Sequence, residues 1–148
     1  MSIKSKLYQK EIFLGLDLGE KTLGISFSQF GIIAKNLKTI KFERHQYHKL
    51  IPPLSKIIAE LNINTIVLGD PRHMNNNIGF KSKISIAFSK RIKKYFPFVK
   101  IFLWDERLST KEAIDNMYQA QYKKKQIFKL KDEMAATIIL QNFLNNQR

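Results

Sequence analysis

The chain is predicted to fold as an α/β protein with a five-stranded mixed sheet, three antiparallel strands followed by parallel crossovers, flanked by helices. Three observations carry that expectation. Short apolar runs broken by turn residues open the chain, with the alternating period of strands. Two helical stretches then separate two further apolar runs, the rhythm of parallel crossovers. The third is size: 148 residues with 44% apolar content are enough for one core and one domain, residues 1–148, without help from disulfides, since there is no cysteine.

The first strand is expected at residues 12–18. Ile12, Leu14, Leu16 and Leu18 point to one face of it, and Phe13, Gly15 and Asp17 to the other. The turn Gly19-Glu20-Lys21-Thr22 leads to a strand at residues 23–28, and a third follows at about 35–42. Pro52 and Pro53 suit a first helical turn, and Leu54, Ile57, Ile58 and Leu61 then recur at helical spacing. The run Thr65-Ile66-Val67-Leu68-Gly69 is apolar and β-branched throughout, as in a strand covered on both faces. A long amphipathic helix spans about 78–96, closed by Pro97, and a strand follows at 99–104. Ser109 and Glu112 have capping-box spacing for a short helix at 110–118. Residues 119–129 lack periodicity and read as a loop, and a helix at 130–145 ends the order. This is the ribonuclease-H-like arrangement.

Net charge is +14, from 26 basic against 12 acidic residues. A field of that sign draws polyanions, which makes nucleic acid the default partner. Biased base composition accounts for lysine over arginine but not for the shortage of acids. So little arginine favours contact with phosphates over reading of bases. The first eleven residues are polar and basic, with no stretch apolar enough for a signal peptide or membrane span. A soluble, cytoplasmic protein with no membrane partner is therefore expected.

Asp17 is the most informative residue. A carboxylate in an apolar strand is costly unless it is paired, hydrogen-bonded or bound to a cation. On the last helix, Asp132, Ala135, Ala136, Ile139, Leu140 and Phe143 fall on one stripe, so Asp132 lies on the core-facing side near the helix start. By itself it reads as an acid complementing the helix dipole. With Asp17 and the pair Asp105-Glu106, each at a strand end, three acidic sites can meet at one end of a sheet. Carboxylates gathered so closely repel unless a cation neutralises them. Oxygen ligands without cysteine or clustered histidine suit Mg²⁺ or Mn²⁺, and a pair of such ions hydrolyses phosphodiesters.

These residues also carry a family resemblance. The run from Phe13 through Asp17-Leu18-Gly19 to Ser26 resembles the opening motif of the YqgF/RuvX family, and Asp105-Glu106-Arg107-Leu108-Ser109-Thr110-Lys111-Glu112-Ala113 matches its most specific signature. Val67-Leu68-Gly69-Asp70-Pro71 with Met74-Asn75 is similar to its Gly-x-Pro loop, and Lys131-Asp132 through Gln141 to its closing helix. The resemblance implies a ribonuclease-H-like fold and a metal-dependent endonuclease that processes the 5′ end of precursor 16S ribosomal RNA, acting with ribosomal particles. It also implies a relation to Holliday-junction resolvases, with branched DNA as the alternative substrate. Carried over by position, Asp17, Asp105, Glu106 and Asp132 are the candidate catalytic residues. Asp17 and Asp132 would hold metal with one of Asp105 and Glu106, since strand neighbours face opposite ways. Glu106 is the working choice, and the sequence leaves the pair open.

Lys21, Thr22, Arg107, Lys123, Lys124 and Lys125 are the candidate substrate-binding residues. Each also has a plainer reading: a solvated turn for the first two, a structural ion pair for Arg107, a solvated loop for the lysine triplet. Lys90, Arg91, Lys93 and Lys94 read as a solvated helix end. Asp70 departs from the apolar residue usual in the Gly-x-Pro loop and is read as a turn-former before Pro71. His45, His48 and His73 have no ligand spacing, and His73 alone sits where it can touch RNA or move a proton. Two other readings stay open: a non-catalytic ribosome-assembly factor that binds RNA, and a nucleotide-binding domain of the actin and chaperone ATPase kind. The latter needs two such domains around a cleft. Oligomeric state is not legible.

Overall fold

The computed structural model describes residues 10–71, 79–106, 119–121 and 123–147, without the side chains at 124 and 127–133. The elements run β1 Phe13–Leu18, β2 Thr22–Ser28, β3 Lys35–Lys41, a 3₁₀ turn at Tyr47–Leu50, and α1 Ile51–Leu61. Then come β4 Thr65–Asp70, α2 Phe80–Tyr95, β5 Lys100–Asp105 and α3 Lys124–Asn145. The strands form one sheet in the order β3-β2-β1-β4-β5. β1, β2 and β3 are antiparallel, and β4 and β5 run parallel to β1.

The two faces of β1 divide as its alternation requires. Leu14 and Leu16 enter a core with Leu54, Ile57 and Ile58 of α1 and Phe88 and Ile92 of α2. Phe13 enters a second core with Val67 and with Ile139, Leu140 and Phe143 of α3. The sheet is thus a middle layer, with α1 and α2 on one side and α3 on the other. β4 is buried at every position, as its unbroken apolar run demands.

α3 lies very close to the sheet at Gly15. A Cβ there would overlap the Ser26 hydroxyl and stand 2.7 Å from Leu140 Cβ. In the space glycine leaves, Ser26 Oγ donates to the Ala136 carbonyl at 2.7 Å. Gln141 ties the same helix to the turn between β2 and β3, accepting from Ala34 N at 2.9 Å and donating to Ile32 O at 3.0 Å. Lys93 at the end of α2 donates to the Pro97 and Val99 carbonyls at 2.9 and 2.7 Å, which gives one member of that basic cluster a structural task.

Two expectations are corrected. Residues 124–129 belong to α3 rather than to a loop, and Lys123 is the helix's N-cap residue. The Lys123 backbone N–H donates to Gln126 Oε1 at 3.0 Å, which satisfies a donor at a helix start crowded with positive charge. Asp70 is the last residue of β4 and only 2% exposed, accepting from Ser82 Oγ of α2 at 2.6 Å. It is a buried strand carboxylate that anchors α2, not a turn-former. The short helix expected at 110–118 lies outside the described residues, and so does His73. Among the described residues no helix is long and apolar enough to cross a membrane.

Candidate active site

In an open α/β sheet, side chains from neighbouring parallel strands meet beyond the strands' carboxyl ends. Asp17, Asp70 and the pair Asp105-Glu106 all reach that edge, but not on the same face. Asp17 is on the α3 face: across from it stands Gly24, whose added Cβ would lie 3.7 Å from Asp17 Cβ and 3.6 Å from Ala136 Cβ. On β5, Trp104 Nε1 donates to Asn142 Oδ1 of α3 at 2.7 Å, so Trp104 shares this face. Alternation then turns Asp105 to the opposite face, where it stands in register with Asp70. Glu106 returns to the α3 face and is hydrogen-bonded to Asp17.

β4 lies between β1 and β5, so Glu106 must cross it to reach Asp17. Gly69 makes that possible. A Cβ at Gly69 would stand 2.9 Å from Glu106 Cδ and 2.7 Å from Ile139 Cδ1, closer than packed atoms approach. The glycine of the Gly-x-Pro loop is therefore a notch for the Glu106 side chain.

Proximity of the two carboxyl groups has a marked electrostatic effect. Burial, then the hydrogen bond and charge of Asp17, then the charge of Asp70 push the Glu106 pKa up from 4.5 to about 9, while Lys81 pulls it the other way. At neutral pH Glu106 holds its proton and donates it to Asp17. Two inward carboxyl groups that keep a proton between them are a donor set suited to a hard cation, which can take the proton's place. Among the described residues no three acids or histidines are grouped closely enough to hold a metal. Asp132, the third expected ligand, is on α3 one turn before Ala136, and its side chain is outside the described residues.

Asp17 and Glu106 open onto a cavity of about 270 Å³, whose lining includes Leu18, Tyr47, Lys81 and Ile84. Lys81, in the first turn of α2, and Tyr47, in the 3₁₀ turn, went unnoticed in the sequence. Only tertiary packing brings them here, and no local motif marks either one. Glu20 also lines the cavity and accepts from Arg44 Nη2 at 2.9 Å. Lys21 and Thr22 of the same hairpin are exposed and do not line it, and neither do Asp105, Lys123 or Lys125. Arg107 and the Lys124 side chain lie outside the described residues.

Known proteins resemble this chain in sequence and in fold. The family model described as "RuvX: Holliday junction resolvase" covers residues 11–146. The chain belongs to the RuvX family. Curated relatives named "Putative pre-16S rRNA nuclease" include one from Onion yellows phytoplasma (strain OY-M), 58% identical over 93% of this chain and 91% of the relative. Another, from Staphylococcus epidermidis, is 38% identical over 93% of this RuvX-family chain and 97% of the relative. Among solved structures, RuvC of T. thermophilus in complex with a Holliday junction substrate superimposes with a TM-score of 0.60 over 93% of this chain and 95% of that one, at 11% identity. That likeness bears out the ribonuclease-H-like fold expected from the order of elements.

Proposed function

We propose that this RuvX-family protein is a cytoplasmic endonuclease, dependent on Mg²⁺ or Mn²⁺, that hydrolyses a phosphodiester in precursor 16S ribosomal RNA within ribosomal particles. The Asp17–Glu106 pair carries the proposal, since it keeps a proton where a divalent cation would serve. Asp17, Glu106 and Asp132 are the residues that would hold metal, with Glu106 preferred to Asp105 because Asp105 faces away from Asp17. Divalent ions, when bound, supply the charge that stabilises the attacking and leaving oxygens of phosphodiester hydrolysis.

The chain's own groups do the rest. With such ions bound, Asp17 and Glu106 would release their shared proton to solvent and hold the ions as a dianionic pair, backed by the fully buried strand β4 between them. Lys81, exposed at the cavity, offers a cation to a phosphate oxygen near the carboxylates. The net charge of +14 draws the polyanion to the surface as a whole. The names of the curated relatives support ribosomal RNA as substrate.

Cleavage of a precursor-16S fragment by the purified chain with Mg²⁺ or Mn²⁺ tests the reading; equal cleavage by Asp17→Asn would refute it. A second reading, resolution of four-way DNA junctions, is supported by the description of the family model. Junction and RNA substrates compared side by side at one salt concentration decide between them.

A further inference from the structure

We propose that the cavity beside the carboxylates is a subsite for one unstacked nucleobase, seated against the Tyr47 ring, from the nucleotide next to the phosphodiester that is cut. The inference rests on the nuclease reading and adds to it the form of substrate the site accepts.

A cavity of about 270 Å³ has room for about nine waters. Cations and one phosphate group need its acidic wall, where Asp17 and Glu106 stand. They have no use for the rest of the lining, where Leu18, Tyr47, Pro71 and Ile84 present apolar surface. A polynucleotide whose phosphate lies at the carboxylates brings a base within reach of that surface. The base is flat and apolar on its faces, and a pyrimidine has a six-membered ring like that of the tyrosine it would lie on.

Tyr47 is prepared for such a partner. Its ring is held by Phe42, at a centroid distance of 5.5 Å and a tilt of 56°, and by Phe88, at 6.5 Å and 52°. Packing from two sides sets its orientation, so little side-chain entropy is lost when a base is added. Lys81 stands on the same cavity as a cation for the adjoining phosphate. A base stacked in continuous duplex cannot enter without unpairing, which costs a few kcal/mol. The subsite therefore selects a strand that is already unpaired beside the cut.

The probe is a synthetic RNA hairpin with a single-stranded 5′ extension, carrying 2-aminopurine or an abasic residue at one extension position at a time. Binding by the full chain is followed in Ca²⁺, a hard cation with the same taste for oxygen ligands. The expected result is a fluorescence change at one position, where an abasic residue weakens binding ~5- to 150-fold. Tyr47→Leu weakens binding of the unmodified RNA by a similar factor, with no further loss on the abasic RNA. Ile84→Phe, which fills the cavity with apolar atoms, has the same effect should Tyr47→Leu fail to fold. Indifference to abasic residues at every position, losses that multiply, or no binding at all would overturn the proposal. Cleavage of the same RNA in Mn²⁺ is measured in parallel. Cleavage without base capture removes the subsite and leaves the nuclease reading, while capture without cleavage removes the nuclease reading and leaves a base-binding cavity.

Discussion

Replacing Glu106 by glutamine isolates the electrostatic cost of the site. In the folded chain the Glu106 pKa is raised from 4.5 to about 9, so between those values the folded state holds a proton that the unfolded state has lost. Stability must then fall as pH rises, by about 1.4 kcal/mol per pH unit, until the pH reaches the folded value. From about pH 5 to about pH 7 this makes about 3 kcal/mol, an upper figure because a wetter site responds less. Glutamine keeps a donor for Asp17 and has nothing to titrate. Urea unfolding of both proteins in EDTA at these two pH values should show the native chain losing about 3 kcal/mol relative to Glu106→Gln. Parallel stability curves would refute the reasoning. Addition of Mg²⁺ or Mn²⁺ near neutral pH should release about one proton and restore the native chain, with no such response from the variant.

Three more outcomes follow from the same geometry. Asp17→Asn should cut at least ~10²-fold more slowly while its circular dichroism stays native, as measured by single-turnover cleavage. Gly69→Ala should lose about 1–3 kcal/mol by overpacking against Ile139, and should lose cleavage as well because its new methyl group pushes Glu106 away from Asp17. Equal activity in that variant would mean that Glu106 has no need of the notch. Asp70→Ala strands the Ser82 hydroxyl and should cost about 1–3 kcal/mol in thermal unfolding, whereas Asp70→Asn keeps an acceptor for Ser82, costs less, and lowers the pKa of Glu106.

The sequence displayed Asp17 well, because the odd and even residues of β1 differ so clearly in character. It could not separate Asp105 from Glu106. Both faces of β5 are apolar, with Ile101 and Leu103 on one and Phe102 and Trp104 on the other, so no pattern says which face meets α3 until Trp104 is seen bonded to Asn142. Asp70 was misleading for a local reason. Asp before Pro is a good turn signal, yet pairing with β5 carries β4 through Asp70, and Ser82 supplies the partner a buried carboxylate needs. The lysine triplet misled in a similar way. Cations at a helix start oppose its dipole, but the buried stripe further along α3 outweighs that small local penalty.

The bond between Ser26 and Ala136 joins residues 110 positions apart in the chain. It also has a bearing on timing. β1 and its Asp17 are synthesised ahead of the helix that closes over them, with the rest of the sheet in between. Until α3 is made, the nascent chain has Asp17 but not the helix that packs beside it. A site assembled in this order is complete only once the chain has been made as far as α3.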